Sequence, residues 1–152
     1  MSSKVVIPAL LDLSGQRILF VGGGEGTRTK LASLVEQDPK VRIVAPEVSS
    51  QVEALVGKLS DAELHRRRFA EKDLDGVALV YGFTDDEALN AHLATLCRAR
   101  GLWNNVSKNR GAFSFVNPAV ARKNGVIAAF SSEEGKPGVA VQARDQYLRG
   151  RE

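Results

Sequence analysis

The sequence predicts an α/β protein with a Rossmann-type parallel sheet, followed by a β-hairpin. Short apolar runs alternate with helical segments over the first 107 residues, which indicates parallel strands joined by right-handed crossovers. A glycine-rich turn separates the first strand from the first helix. Beyond Ser107, two further apolar runs flank Asn124-Gly125, a pair typical of a tight hairpin turn.

The first strand and helix lie in the most informative stretch, QRILFVGGGEGTRTKLASLV, residues 16–35. Arg17–Val21 is the predicted strand, and three glycines end it. From Thr27 onward, apolar residues recur at helical spacing. Strand, glycine turn and helix therefore follow one another directly.

The remaining elements continue the alternation. A second strand covers Val41–Val44, and a helix capped by Ser49 or Ser50 carries apolar residues as far as Leu59. ELHRRRFA predicts an edge strand whose basic residues guard against aggregation. VALVYGFTDD predicts a strand buried on both faces and then a helix from Thr84, and LWNNVS predicts a fifth strand. The last predicted elements are the hairpin strands Phe113–Ala121 and Val126–Phe130 and a helix over Val139–Leu148.

Composition bounds the function. The 152 residues are 43% apolar and carry a net charge of +3, which suits an anionic small molecule and is too weak to predict nucleic-acid binding. The apolar run Val5–Leu11 is too short to span a bilayer, so we expect a cytoplasmic protein without a membrane partner. Cys97 is expected in the core, and His65 and His92 stand apart, so no metal site is predicted.

The glycine turn predicts a dinucleotide site. Gly22 and Gly24 fit the first two positions of G-x-G-x-x-G, where one glycine permits the sharp bend and the other lets a pyrophosphate approach the backbone. Thr27 stands at the third position, where glycine or alanine is usual. Free backbone amides from Glu25 to Thr27 would hold the phosphates.

The sequence after the second strand bears on the choice of cofactor. Glu47 lies where an acid is expected to accept the ribose hydroxyls, which favours NAD over NADP. Two alternatives stay open: Glu47 is a solvated loop acid, or Arg28 or Arg42 accommodates the additional phosphate of NADP.

Five stretches in order, IPALLDLSGQRILFVGGGEGTRTK, VRIVAPE, DLDGVALVYGFTDD, FVNPAV and SS…KPG, resemble the N-terminal module of siroheme synthases and the stand-alone precorrin-2 dehydrogenases. The resemblance covers about residues 6–150. It implies an NAD-binding Rossmann domain over residues 1–108 and, over residues 109–152, a hairpin region that forms a homodimer and part of a tetrapyrrole cleft. A small helical segment normally follows in the family, and we expect it to be absent here because this chain ends at Glu152.

The resemblance also implies site residues, and this sequence departs from the family pattern at several positions. Lys108 stands where the family keeps an aspartate that handles a proton or a metal, and Ser132 matches the loop serine. Glu133 and Glu134 replace glycines; either one of them supplies the missing carboxylate, or the loop has lost its function and gained charge. Gly26 replaces an apolar residue, and YGF at residues 81–83 replaces a run of small residues. Two alternatives stay open: Tyr81 and Phe83 narrow the nicotinamide pocket, or they are ordinary strand-packing residues. The implied cofactor-binding residues are Gly22, Gly24, Glu25, Gly26, Glu47, Val48, Thr84 and Asp85.

Two functions remain open on the sequence. The first is NAD-dependent oxidation of precorrin-2 to sirohydrochlorin, with or without ferrochelatase activity. The second is a catalytically impaired relative that binds NAD or a tetrapyrrole as a carrier or regulator. Lys108 favours the second, because a lysine is normally a cation and a poor base near neutral pH, whereas the glycine turn and the paired serines favour the first.

Overall fold

A computed structural model describes residues 6–107, 113–133 and 135–150. The chain forms two compact units, one ending at Ser114 and the other beginning at Phe115. The predicted functional division after residue 108 falls among residues that are not described and stays a prediction. The strands are β1 (Arg17–Val21), β2 (Lys40–Val44), β3 (Ala62–His65), β4 (Val77–Gly82), β5 (Trp103–Val106), β6 (Ala119–Lys123) and β7 (Val126–Phe130). The α-helices are α1 (Glu25–Ala32), α2 (Ser50–Val56), α3 (Glu87–Ala99) and α4 (Pro137–Arg149), and short 3-10 helices cover Val35–Gln37 and Glu71–Leu74.

The first unit is built on a parallel sheet with the strand order β3-β2-β1-β4-β5. From β1 the chain builds β2 and β3 on one side, and then returns to build β4 and β5 on the other. The strand order therefore reverses between β1 and β4, at the kind of crevice where α/β sheets bind ligands. The predicted Rossmann-type fold is confirmed.

The core lies on both faces of this sheet. Leu19 and Val80 share a buried cluster with Leu93, which places α3 on their face. On the opposite face, Lys30 of α1 lies over the ring of Tyr81. β1 and β4 are almost wholly buried because helices cover both of their sides, as a continuous apolar run predicts.

Helix boundaries depend on caps that the sequence shows only in part. Ser49 caps α2 by accepting from the amide of Val52 at 3.3 Å, which selects one of the two predicted serines. α2 ends at Val56, so the prediction that Leu59 belongs to it is wrong. Asp86 caps α3 by accepting from the amide of Leu89 at 2.9 Å, and this helix therefore begins at Glu87 rather than Thr84.

The second unit contains the predicted hairpin. β6 and β7 pair antiparallel, and both Asn124 (φ 52°) and Gly125 (φ 76°) adopt the positive φ of a type I′ turn. The predicted strand start at Phe113 is wrong, since β6 begins at Ala119, after a proline that has no amide to donate. α4 extends beyond its predicted limits on both sides, with Pro137 in its first turn, where the missing amide costs nothing.

β3 lies at the edge of the sheet, as predicted, but it ends at His65. The arginines that follow therefore lie outside the strand. Arg66 forms an ion pair with Glu53, and Arg67 binds Asp73 through two hydrogen bonds of 2.6 and 2.8 Å. None of the helices in the described residues has the length and apolar content needed to cross a membrane.

Candidate functional site

The glycine turn is held between the loops that follow β2 and β4. Gly22 has a φ of 116°, and a Cβ placed there would lie 2.4 Å from the carbonyl oxygen of Phe83. A Cβ on Gly23 would lie 2.3 Å from the carbonyl oxygen of Glu47. Both positions therefore need glycine because neighbouring backbone approaches so closely. Gly22 is the predicted bend, whereas the requirement at Gly23 is set by the distant Glu47 and was missed.

Gly24 has the opposite surroundings. A Cβ there would have no atom within 4 Å, and the residue is exposed. It is the N-cap of α1 and gives the helix no side-chain acceptor. The first amides of a helix have no partner within it and carry the positive end of its dipole. An open, uncapped helix start of this kind is suited to an anion, and its first amides belong to Glu25, Gly26 and Thr27.

Thr27 occupies the third position of the glycine pattern, and its side chain fits inside the turn. Its side chain is fully buried, and its hydroxyl donates to the carbonyl oxygen of Gly22 at 2.7 Å. This bond joins the first turn of α1 to the end of β1. A glycine or alanine would allow close packing at this position, whereas threonine adds a direct link.

Charge at the start of α1 is balanced locally. Arg28 donates to both carboxylate oxygens of Glu25, at 2.5 and 2.7 Å, and the pair is exposed. The Arg28 guanidinium lowers the pKa of the Glu25 carboxyl, which is therefore ionised near neutral pH. Because an anion would bind beside this carboxylate, the guanidinium offsets a repulsion that Glu25 alone would exert.

Glu47 and Val48 lie directly after β2, against the glycine turn. The amide of Ser49 donates to the carbonyl of Gly23 at 2.9 Å, and this bond fixes the loop. The Glu47 side chain is exposed at the carboxyl end of the strand, where a ribose acceptor is expected. Arg42 is directed elsewhere, to Glu63 and to the backbone carbonyls of Asp73 and Asp75, so it is not placed to receive an NADP phosphate.

The loop after β4 is fixed by Asn90, a residue that sequence reasoning missed. Its buried amide donates to the carbonyl of Thr84 at 2.9 Å and to that of Ser107 at 3.4 Å, while its oxygen accepts from the Thr84 hydroxyl at 2.7 Å. Thr84 and Asp85 are thereby held beside the carboxyl end of β5. Nothing in the spacing of the sequence indicated this link, because it joins three separate segments.

The predicted catalytic residues fall in the second unit or outside the described residues. Lys108 and Glu134 are not described. Glu133 is exposed, and the Ser132 oxygen accepts from the amide of Lys136 at 2.5 Å. This bond links the loop after β7 to the start of α4, and the Ser132 proton is left for another acceptor.

Other reactive side chains have ordinary roles. Cys97 is fully buried, and burial raises the pKa of its thiol to about 11, as expected of a core cysteine. His65 lies 3.3 Å from Glu63. Among the residues described, no three His, Cys, Asp or Glu side chains are grouped to hold a metal ion.

Comparison with known proteins agrees with this geometry. The sequence profile of the family described as "Putative NAD(P)-binding" matches residues 9–119. The siroheme synthase of Pseudomonas fluorescens (strain Pf0-1) is 38% identical over 134 residues, which are 88% of this chain and 29% of that protein. The siroheme synthase of Ectopseudomonas mendocina (strain ymp) is 36% identical over the same length, 28% of that protein. The chain thus spans less than a third of the length of these relatives.

A solved structure shows the same fold. "SirC, precorrin-2 dehydrogenase" superposes with a TM-score of 0.78 at 21% identity, covering 97% of this chain and 72% of that one. The hairpin after the parallel sheet therefore belongs to a known architecture, and the resemblance identified in the sequence is confirmed.

Proposed function

The chain belongs to the NAD(P)-binding family, and from that premise we propose that it oxidises precorrin-2 to sirohydrochlorin with NAD as the hydride acceptor. The names of its relatives and the fold it shares with a precorrin-2 dehydrogenase support this reaction. The observation that carries the proposal is the open position at Gly24, next to a helix start without a side-chain cap.

In this proposal, three segments hold the dinucleotide. The amides of Glu25 to Thr27 bind the diphosphate, and Gly24 leaves room for it. The exposed Glu47 carboxylate accepts the hydroxyls of the adenosine ribose and repels a 2′-phosphate, so we propose NAD rather than NADP. Val48, Thr84 and Asp85 complete the site from the neighbouring loops.

NAD, when bound, supplies the acceptor for the hydride that leaves the macrocycle, and a proton leaves the macrocycle with it. Ser132 is proposed to donate its hydroxyl proton in a hydrogen bond to a substrate carboxylate, since its oxygen already accepts from Lys136. The net charge of +3 favours a polycarboxylate substrate.

The reaction is tested by incubating the purified protein with precorrin-2 and NAD while both NADH and the macrocycle spectrum are followed. Formation of NADH together with sirohydrochlorin supports the proposal. Replacing NAD by NADP in a parallel reaction tests the role of Glu47, and we expect the Glu47→Gln variant to discriminate less between the two cofactors. Turnover that favours NADP would contradict the assignment of Glu47.

A second function is favoured by Lys108, which stands where the family keeps an aspartate. We propose as the alternative a protein that binds NAD or the tetrapyrrole without turnover. Binding of both ligands without NADH formation would support it.

If Glu133 or Glu134 replaces the missing carboxylate, the double variant Glu133→Gln/Glu134→Gln abolishes turnover while NAD still binds, and unchanged turnover excludes that role.

We also propose a homodimer formed through the hairpin. By the strand register, Val120 and Ile127 lie on the same face of the hairpin, and they are 42% and 46% exposed. Light scattering should give twice the chain mass for the wild-type protein and the chain mass for Ile127→Lys.

Iron insertion is tested separately, by adding ferrous iron and sirohydrochlorin to the purified protein. The cytoplasmic location stays a prediction.

A further inference from the structure

Phe83 directly follows β4 and adjoins the glycine turn. Its amide donates to the carbonyl of Val21 at 2.8 Å, and its own carbonyl is the group that excludes a side chain from Gly22. Its backbone is therefore fixed at the crevice between β1 and β4, where the strand order reverses.

The ring of Phe83 ends a column of three aromatic side chains. Phe20 and Tyr81 stack with ring centroids 5.0 Å apart and an interplanar angle of 20°. Tyr81 and Phe83 stack at 5.4 Å and 28°. Because residues two apart on a strand share a face, the column follows the α1 side of the sheet to its carboxyl edge. The first two rings are buried and that of Phe83 is half-buried, so the column ends at the crevice.

Gly26 makes room for this ring. A Cβ on Gly26 would lie 3.0 Å from both Cβ and Cγ of Phe83, closer than carbon atoms ordinarily approach. Rotation of the Phe83 side chain cannot relieve the contact at its Cβ, since the backbone sets the position of that atom. Lys30, one helical turn later, lies over Tyr81 at 5.4 Å. One face of α1 is therefore fitted to the column, and glycine is required where the ring reaches the helix start.

The direction of the dinucleotide assigns a role to this ring. If the diphosphate lies at Gly24 and the adenosine ribose at Glu47, beyond β2, then the nicotinamide half lies on the β4 side of the crevice. We propose, on the basis of the proposed function, that Phe83 is a positioning residue that forms the wall of the nicotinamide pocket and stacks on the nicotinamide ring. Gly26 is the small residue that allows this wall.

The first test compares NAD with ADP, which shares the adenosine and the diphosphate but lacks the nicotinamide half. Calorimetric titration of Phe83→Ala should show NAD affinity about threefold to tenfold lower, the range of one aromatic stacking contact, with ADP affinity unchanged. Phe83→Leu keeps an apolar contact with Gly26 without a ring, and we expect the same loss for NAD with a melting temperature near that of the wild type.

The second test needs no ligand. It asks whether the effect of Gly26→Ala on stability depends on the Phe83 side chain. Alanine favours a helix over glycine, so Gly26→Ala should stabilise the protein wherever there is space. In the wild-type background we expect the reverse, a fall in melting temperature of about 2–4 °C, because of the contact with Phe83. In the Phe83→Gly background, which removes both of the contacting atoms, the same substitution should raise the melting temperature. Gly57→Ala, at an exposed helix end with only ordinary contacts, is the matched control and should not depend on Phe83.

The outcomes separate this inference from the proposed function. Failure of the wild-type protein to bind either NAD or ADP contradicts the proposed function, and the inference with it. Suppose that the wild-type protein binds both ligands. If Phe83→Ala then lowers the affinities for NAD and ADP equally, or lowers neither, the inference alone is overturned. Tighter NAD binding by Phe83→Ala also overturns it, since the ring would then obstruct the pocket. If Gly26→Ala changes the melting temperature in the same direction in both backgrounds, the claim that Gly26 makes room for the Phe83 side chain is overturned.

Discussion

The hydroxyl of Thr27 donates a 2.7 Å hydrogen bond to the carbonyl of Gly22, so the first turn of α1 is linked to the end of β1 across the glycine turn. Replacing Thr27 by valine keeps the shape and leaves a buried carbonyl without this donor. We expect the free energy of unfolding, measured by urea denaturation, to fall by about 1–2 kcal/mol. Thr27→Ser retains the donor and should lose less. Equal stability of the valine variant and the wild type would show that the bond contributes nothing.

Gly24 allows folding and binding to be separated. Serine at an N-cap accepts a hydrogen bond from the first helical turn, so Gly24→Ser should raise the melting temperature slightly, by about 1 °C. The same side chain occupies the amides and the space that a diphosphate needs, and NAD affinity should fall by about tenfold or more. Thermal melts and calorimetry on one preparation measure both effects. Unchanged NAD affinity would place the diphosphate elsewhere.

Arg28 is expected to assist NAD binding by neutralising Glu25. Arg28→Ala exposes an uncompensated carboxylate beside the diphosphate, and NAD affinity should fall by about twofold to fivefold at low salt. Glu25→Gln in addition should recover most of the loss, because the repulsive charge is then absent. A double variant that binds as weakly as Arg28→Ala would instead indicate that Arg28 contacts the phosphate directly.

Asp73 gives the fold an acid-sensitive interaction. Its buried carboxylate accepts two hydrogen bonds from Arg67 and one from the amide of Ala70, and the Arg67 guanidinium lowers its pKa below the ordinary value of 3.8. A lowered pKa contributes stability that is present above the unfolded-state value and is lost as the pH falls through the folded-state value. Asp73→Asn should therefore lower the free energy of unfolding at pH 7, on the order of 1–3 kcal/mol.

The difference between wild type and Asp73→Asn should persist from pH 7 down to about pH 5. It should shrink below 3.8, where the unfolded-state carboxyl takes up a proton first and the folded-state carboxyl takes one up only at lower pH. Denaturation curves collected across this range check the sign. A difference that grows as the pH falls would contradict the assignment.

The sequence predicts what local chemistry determines. Arg17–Val21 is an apolar strand with its exact observed limits, because the glycines after it cannot extend a buried strand. Asn124-Gly125 predicts its turn because few residue pairs accept two positive φ angles. The prediction that a strand begins at Phe113 is wrong for a comparable reason. Pro118 has no amide to donate, so β6 begins only after it, at Ala119, despite the apolar residues before it.

Contacts between distant segments account for what the sequence did not predict. Asn90 links Thr84 to Ser107, and its role depends on where three segments meet. Gly26 and Phe83 are separately unusual in the sequence, but only the structure shows that Phe83 occupies the space of a side chain at position 26. Side-chain complementarity of this kind has no periodicity and therefore no signal in a single sequence.

The most direct measurement is the change of backbone amide chemical shifts in the ¹⁵N-labelled protein as NAD is added. We expect the largest shifts at Glu25, Gly26 and Thr27, with smaller shifts at Val48 and Thr84 and none at the control position Gly57. ADP should reproduce the shifts at the helix start. Saturating NAD that leaves these three amides unmoved, or that shifts residues remote from the glycine turn instead, would contradict the claim that the start of α1 binds the diphosphate.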